Sequence, residues 1–339
     1  MGLLRLVVER YLATVTALDY AGPRGTTPHD PETVLTVAAR EVVAADGSVV
    51  ALTLRAPDRA VLPPWHPGAH LDMHLPSGRR RQYSLCGDPD DRTRYTIAVR
   101  LVPYGGGGSR EMHALRPGDR VVVRGPRNGF PFAVDDAALF VAGGIGITPI
   151  RAMIHAAERA GTRWRLVYTG RSRTAMPFLD ELESRYGARV FVRPDDEYGI
   201  PTAADLLADA PAGGAVYCCG PTVMIDAVRT GFDATAASAL HFERFGAAPV
   251  VDGRAFEVHL ARSGETVPVA ADESALAAVL RRRPDLAYSC RQGFCGTCRV
   301  RVLAGTPDHR DSRLTDDERR EHMLPCVSRA DGDRLVLDL

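Results

Sequence analysis

The sequence has no excess of charge of either sign and no apolar run long enough to span a bilayer. Lysine and arginine together number 42, as do aspartate and glutamate, so charge gives no indication of nucleic-acid or general membrane binding. The first residues are too charged for a secretory signal, and no small-residue cleavage site follows them. We therefore expect a cytoplasmic protein with no nucleic-acid or membrane partner.

The 339 residues have an ordinary globular composition, and the length predicts two or three domains after an N-terminal extension of residues 1–32. Residues 33–133 contain short alternating apolar segments separated by turn signals, which predicts an antiparallel β-barrel. In residues 134–245, predicted strands and helices alternate, which predicts an α/β domain with a parallel sheet. A cysteine-rich third domain is predicted over residues 254–339.

Four of the seven cysteines lie near the C-terminus in a pattern typical of iron–sulfur proteins. Cys290, Cys295 and Cys298 have the plant-type ligand spacing C-x4-C-x2-C of a [2Fe–2S] cluster, and Cys326 follows as the fourth candidate thiolate. Glycines inside this segment would let the loop wrap closely around a cluster. Structural zinc and buried cysteines without a metal are the alternatives. Zinc sites usually have a second closely spaced cysteine pair, which this segment lacks.

A predicted buried strand at residues 138–142 runs into a glycine-rich turn and a helix. Gly144 and Gly146 would let the backbone approach a pyrophosphate, whose charge the helix N-terminus would favour. The segment Cys219-Gly220-Pro221 ends a later strand, and ligands gather at the carboxyl ends of parallel strands. We therefore expect both segments to face one nucleotide-binding crevice, with purely structural turns as the alternative.

Two further segments have the chemistry expected of a flavin phosphate site. Arg81, Tyr83 and Ser84 follow one another along an extended segment, where arginine can bind a phosphate and a hydroxyl can contact the flavin ring. The run Gly105–Ser109 could hold a phosphate with its backbone amides. The alternatives are a basic surface strand and a flexible loop.

Together, these motifs resemble the phthalate dioxygenase reductase family, within the wider ferredoxin–NADP reductase superfamily, over about residues 33–339. Arg81-Gln82-Tyr83-Ser84 is similar to the flavin motif of that family. Gly105–Ser109 is similar to its phosphate motif Gly-Arg-Gly-Gly-Ser, with Gly106 in place of the arginine, and this motif implies FMN rather than FAD. The third domain is similar to a plant-type ferredoxin, which implies a β-grasp (α+β) fold.

The resemblance also implies the function and the site residues. It implies an oxidoreductase in which hydride passes from NAD(P)H to FMN, with Ser84, Thr148 and Cys219 in the catalytic contact. Single electrons would then leave through the [2Fe–2S] cluster to a separate oxygenase, either Rieske-type or a haem-thiolate monooxygenase, and no dimer is needed. The candidate cofactor-binding residues are Arg81, Gln82, Tyr83, Ser84, Gly107, Gly108, Ser109, Gly143, Gly144, Gly146, Thr148, Arg171, Ser172, Arg173, Cys219, Gly220, Pro221 and Phe245.

Nucleotide choice and the class of protein have open alternatives. No acidic residue ends the second predicted strand of the nucleotide domain, and Arg171 and Arg173 follow it, which permits a 2′-phosphate and favours NADPH without excluding NADH. A redox sensor or regulatory binding module is one alternative function. The others are a flavin NAD(P)H oxidase that reduces oxygen itself and a zinc-containing dehydrogenase.

Overall fold

The computed structural model describes residues 32–103, 107–246, 250–284, 286–288, 291–293 and 296–339. Residues 1–31 of the predicted N-terminal extension, Gly105, Gly106 and the candidate ligands Cys290 and Cys295 lie outside the described residues. Within Glu32–Leu339, which is one compact unit, the structure has three main sheets in chain order. This multidomain architecture confirms the predicted fold class.

The first sheet is the predicted antiparallel flavin domain. Its strand order is β4-β3-β6-β1-β2-β5, and a bridge between Leu85 and Ile97 brings the two edge strands together, so that the sheet curls into a barrel. Buried side chains such as those of Leu52 and Leu71 fill its interior. A short helix, α1, follows β5. The elements are β1 (Thr33–Val42), β2 (Val49–Arg55), β3 (Ala69–His74), β4 (Arg80–Ser84), β5 (Tyr95–Arg100), α1 (Gly108–Ala114) and β6 (Arg120–Asn128).

The second sheet is parallel throughout, with the order β11-β10-β7-β8-β9. Apolar residues fill both of its faces: Phe140 belongs to one buried cluster, and its neighbours Leu139 and Val141 belong to the other. The elements are β7 (Ala137–Gly143), α2 (Ile147–Ala160), β8 (Arg163–Gly170), α3 (Leu179–Tyr186), β9 (Val190–Pro194), α4 (Asp195–Tyr198), α5 (Ala203–Leu207), β10 (Ala215–Cys219), α6 (Thr222–Gly231) and β11 (Ala239–Glu243).

The third sheet has the order β13-β12-β18-β14-β16 and packs against one short helix, α7. Strands β12 and β18 are parallel and the other pairs are antiparallel, which is the mixed sheet expected of the predicted ferredoxin domain. The elements are β12 (Phe256–Leu260), β13 (Thr266–Val269), α7 (Ala275–Leu280), β14 (Val300–Ala304), β15 (Pro307–Asp308), α8 (Asp316–Arg319), β16 (His322–Met323), β17 (Arg329–Ala330) and β18 (Arg334–Leu337).

The barrel packs directly on the nucleotide domain. The backbone N–H of Phe178 donates to the carbonyl of Val43 over 2.8 Å, and the guanidinium of Arg151 on α2 donates to the carbonyl of Cys86 in the barrel. The Arg151 guanidinium also lies over the Phe178 ring, 4.8 Å from its centroid. In the part of the chain that the structure describes, no helix combines the length and the apolar character that crossing a membrane requires.

Candidate functional site

A cavity of about 240 Å³ lies where the three sheets meet. The barrel contributes the predicted flavin residues Arg81, Gln82 and Ser84 to its wall, and the end of the nucleotide sheet contributes Phe245. The other lining residues are His70, Asp72, Arg80, Glu243, Arg244, Tyr288, Arg291 and Gln292. The last three belong to the ferredoxin domain, so all three domains face this one cavity.

Arg81 connects the two segments that the sequence assigns to the flavin phosphate. A Cβ atom placed on Gly108 would lie 2.9 Å from Nε of Arg81, so the guanidinium lies directly over the start of α1. The hydroxyl of Ser109 accepts a hydrogen bond from the N–H of Val102 at 3.0 Å, which holds this turn closed. An arginine beside the backbone amides of a glycine-containing turn fits a phosphate group.

Phe245 and Tyr288 are aromatic lining residues of the cavity, whereas Tyr83 of the flavin motif is not among the lining residues. Tyr83 is half-buried against the barrel interior, and burial raises the pKa of its hydroxyl to about 12. Phe245 lines the cavity with 49% of its surface exposed. A planar aromatic cofactor is the kind of ligand that such a ring covers.

The carboxyl of Glu243 is the most perturbed acid facing the cavity. Burial raises its pKa to about 8, opposed by a hydrogen bond from the Ser84 hydroxyl. Its Oε2 atom is buried without a hydrogen-bond partner. Strand β11 places Glu243 beside Cys219 of β10, and burial together with that carboxyl raises the pKa of the thiol well above its usual value. The predicted catalytic residues Ser84 and Cys219 therefore flank one protonated carboxyl at neutral pH.

The barrel strand next to Ser84 also contributes a neutral histidine to the cavity. His70 is only 4% exposed, and its Nε2 atom lies 2.8 Å from the side-chain amide of Gln82. Burial lowers the pKa of His70 to about 4, so the ring carries no charge at pH 7.

The two predicted nucleotide motifs lie against each other at the carboxyl ends of neighbouring strands. Strands β7 and β10 pair in parallel, so that Gly143 follows the Ala142–Cys219 pair. A Cβ atom on Gly143 would lie 2.6 Å from Pro221 Cδ, one on Gly146 would overlap the carbonyl oxygen of Cys219, and one on Gly220 would lie 3.0 Å from Gly143 Cα. Only glycine fits these positions without rearrangement, so the two motifs lie next to each other at one edge of the sheet, and the nucleotide-binding crevice stays a prediction.

Thr148 and the arginines after β8 differ in accessibility. Thr148 is 2% exposed and its hydroxyl donates to the carbonyl of Ile145 at 2.9 Å. Arg173 is exposed and paired with Glu183 of α3 at 2.6 Å. The Arg171 carbonyl accepts from the N–H of Asp196, while the hydroxyl of Ser172 contacts that of Thr174 at 2.9 Å.

The two candidate metal ligands that the structure describes come together from separate segments. Cys298 and Cys326 are each 2% exposed and belong to one buried cluster with Leu314 and Leu324. Gly293 and Gly296 have φ values of +80° and +74°, which a residue with a Cβ rarely adopts. Two buried thiols, together with glycines of positive φ in the preceding segment, fit a thiolate-bound cluster.

Glu243, His70 and Asp72 are lining residues that sequence reasoning did not select. The sequence predicts a role for Phe245, two residues further along the chain, but none for Glu243. The pattern of β11 could have revealed it, because a carboxylate at the carboxyl end of a parallel strand lies at the ligand-binding edge of the sheet. Nothing in the local sequence distinguishes His70 or Asp72.

Comparison with known proteins supports this geometry. An oxidoreductase FAD-binding domain model matches residues 34–132, and a 2Fe-2S iron-sulfur cluster binding domain model matches residues 258–331. Phthalate dioxygenase reductase from Burkholderia cepacia is 38% identical over 90% of this chain and 97% of its own length. The chain belongs to the phthalate dioxygenase reductase family.

Other relatives extend the comparison. Phenoxybenzoate dioxygenase subunit beta from Ectopseudomonas oleovorans is 44% identical over 86% of this chain and 93% of its own length. The heme-dependent oxidative N-demethylase beta subunit from Ectopseudomonas mendocina is 38% identical over 83% of this chain and 91% of its own length.

Two solved structures have the same fold. The first is phthalate dioxygenase reductase, described as a modular structure for electron transfer from pyridine nucleotides to [2Fe-2S]. Its match covers 93% of this chain and 100% of that chain, with a TM-score of 0.68 and 37% sequence identity. Full-length CYP116B46 from Tepidiphilus thermophilus matches 93% of this chain with a TM-score of 0.66 and 41% identity. The match spans only 44% of that longer chain.

The family and its domains identify the cofactors of this protein. The chain is an oxidoreductase with a flavin, a [2Fe–2S] cluster and a pyridine nucleotide as electron donor. The residues present fit these groups: the three-domain cavity has a basic end and a half-exposed aromatic ring, and buried thiols lie beside a glycine-containing loop.

Proposed function

We propose that this chain is the reductase component of an oxygenase system, which takes electrons from NAD(P)H and delivers them one at a time to a separate oxygenase. The observation that carries the proposal is the shared cavity. The flavin-motif residue Ser84, the nucleotide-domain residue Phe245 and the ferredoxin residue Gln292 all line it. A flavin held there is in contact with the domain that supplies electrons and the domain that removes them.

When bound, the flavin would accept hydride and the cluster would carry single electrons. The residues of this chain bind these cofactors and orient them. Arg81, Gly107, Gly108 and Ser109 would hold a terminal phosphate, which favours FMN over FAD. Gln82, Tyr83, Ser84 and Phe245 would orient the ring. Glu243 keeps its proton at neutral pH, so Ser84 and Glu243 offer the cavity a hydroxyl and a neutral carboxyl, and the fully buried Cys219 thiol beside Glu243 also stays protonated.

The nucleotide would occupy the crevice between the motifs of β7 and β10. Gly143, Gly146 and Gly220 let the two motifs pack against each other, and the backbone of these motifs, together with Gly144 and Pro221, would bind the pyrophosphate. The buried hydroxyl of Thr148 lies at the start of α2. Arg171, Ser172 and Arg173 would face the 2′ position, and NADPH is the nucleotide we favour. An exposed ion pair such as Arg173–Glu183 contributes at most about 1 kcal/mol, so a phosphate can displace Glu183.

Cys290, Cys295, Cys298 and Cys326 would bind the cluster as its four thiolates. The names of two relatives specify dioxygenase systems and one specifies a heme-dependent N-demethylase. We therefore favour a Rieske-type oxygenase as the partner, with a haem-thiolate monooxygenase as the second candidate. Reduced thiol ligands suit a cytoplasmic location, and one-electron transfer through a single chain needs no second copy, so we propose a monomer.

The domain boundaries belong to the same proposal. We propose an N-terminal extension of residues 1–32, a flavin domain of residues 33–133, a nucleotide domain of residues 134–245 and a ferredoxin domain of residues 254–339. Each of the last three ranges contains the strands of one main sheet, which supports the division.

The absorption spectrum of the purified protein, before and after anaerobic addition of NADPH or NADH, tests this function. We expect flavin bands over broad sulfur-to-iron absorption, with both losing intensity on addition of the nucleotide. If the spectrum shows flavin bands alone and chemical analysis finds neither iron nor sulfide, electrons do not leave this protein through an iron–sulfur cluster. Rapid peroxide formation in air without a partner would favour the oxidase alternative, and a nucleotide that changes neither chromophore would favour the redox sensor.

A further inference from the structure

One arginine joins the wall of the flavin cavity to the cluster loop. Arg127 lies near the end of β6, and its Nη1 atom donates to Oδ2 of Asp72 on the neighbouring strand β3 at 2.8 Å. The side chain of Asp72 is 9% exposed and that of Arg127 is 23% exposed. Because the pair is largely shielded from water, it holds the guanidinium in one orientation better than a surface pair would.

The same nitrogen reaches into the ferredoxin domain. Nη1 of Arg127 donates to Oγ1 of Thr297 at 3.5 Å. Thr297 lies between the candidate ligands Cys295 and Cys298, and Cys298 is buried. The contact therefore ends on the short stretch of loop that carries two of the four thiolates.

Asp72 connects this contact to the cavity. Asp72 and His70 both line the cavity, whereas Arg127 does not, so the guanidinium lies behind the cavity wall. A second polar contact between the two domains, from Nη1 of Arg81 to the Tyr288 hydroxyl, is 3.4 Å long, but both of its residues line the cavity. Arg127–Thr297 is the contact that can be changed without removing a side chain from the flavin site.

We infer that Arg127 is a positioning residue: held by Asp72, it fixes the cluster loop against the flavin barrel through Thr297 and so sets the separation of the two electron carriers. This inference rests on the proposed function. Small displacements of reacting groups have large effects on rate. Removal of the contact should therefore slow electron transfer from flavin to cluster while leaving flavin reduction by the nucleotide unchanged.

Three variants of the holoenzyme test the inference: Arg127→Ala, Thr297→Val and the double variant that has both changes. Thr297→Ser is the conservative variant. Arg120→Ala is the matched control, because Arg120 is an exposed arginine on the same strand. Anaerobic stopped-flow absorbance measures cluster reduction, and ferricyanide reduction measures flavin turnover. We expect each single change to slow cluster reduction by about tenfold, and Thr297→Ser and Arg120→Ala to keep the wild-type rate.

The double variant shows whether the two single changes act by removing the same contact or by separate effects at each residue. If the side chains act through each other, the double variant is no slower than the slower single variant. Hydrogen exchange of the peptide around Thr297 should become faster in Arg127→Ala and stay unchanged in Arg120→Ala. Wild-type rates in both single variants, or effects that multiply in the double variant, would overturn the inference. A wild-type protein whose cluster the nucleotide does not reduce would instead overturn the proposed function.

Discussion

The hydroxyl of Ser84, at the end of barrel strand β4, donates a hydrogen bond to the buried carboxyl of Glu243, at the end of strand β11 in the nucleotide sheet. This bond joins two domains at the cavity that both of them line. Burial is the dominant influence on Glu243 and raises its pKa, so the carboxyl is largely protonated at neutral pH, whereas the hydrogen bond from Ser84 favours the charged form and opposes this rise.

The first prediction concerns the pH dependence of stability at Glu243. Its pKa is about 8 in the folded protein and about 4.5 when unfolded, so the folded state binds more protons between these values. The free energy of unfolding should then fall as pH rises through this window, by up to about 1.4 kcal/mol per pH unit from this group. Glu243→Gln, which stays neutral, should flatten this slope, as measured by Tm from pH 5 to 8.

Glu257→Gln provides the control for this prediction. Glu257 is an exposed glutamate on strand β12, so the same chemical change should leave the dependence of Tm on pH unaltered. If Glu243→Gln and Glu257→Gln both retain the wild-type slope, Glu243 is already ionised in the folded protein.

The second prediction tests the close approach of the two nucleotide motifs. A Cβ atom on Gly146 would overlap the carbonyl oxygen of Cys219, and backbone cannot move aside as a flexible side chain can. Gly146→Ala should lower the free energy of unfolding by about 1–3 kcal/mol through overpacking and should raise KM for the nucleotide. Gly246→Ala, where nothing lies within 4 Å of the new Cβ, should change neither quantity. Denaturant unfolding measures the free energy of unfolding, and steady-state kinetics measure KM for the nucleotide. Equal effects of Gly146→Ala and Gly246→Ala on these two quantities would contradict the close approach of the two motifs.

The sequence predicted the parts of the site that depend on local spacing. The cysteine pattern, the glycine-rich turn after β7 and the alternation of strand and helix are all properties of short segments, and the fold class follows from them. Glu243 was not predicted to be important because its burial arises from the pairing of β11 with β10 and from packing against Ser84, a residue of another domain. Arg127 was missed for the same reason, since Asp72 and Thr297 are distant from it in sequence.

Nucleotide choice gives the third prediction. Arg173 can bind a 2′-phosphate only after leaving Glu183, to which it is paired at the surface. If NADPH is preferred, Arg173→Ala should lower kcat/KM for NADPH by about tenfold, because a charge-assisted contact contributes about 1.5–3 kcal/mol, and leave NADH unaffected. Glu183→Gln should raise kcat/KM for NADPH by releasing the guanidinium. Equal changes for both nucleotides in Arg173→Ala would exclude this arginine from selection and favour NADH.

The fourth prediction separates entry of electrons from their exit. Cys298→Ser removes a buried thiol from the candidate cluster site, so the protein should lose iron and its EPR signal after reduction with dithionite. Ferricyanide reduction should survive, because the flavin cavity lacks this residue, whereas reduction of cytochrome c or the oxygenase should be lost. Cys218→Ala, a change to an equally buried cysteine of the nucleotide sheet, should retain iron and both activities. If Cys298→Ser keeps its full iron content and still reduces cytochrome c, the Cys298 thiolate is not required for electrons to leave this protein.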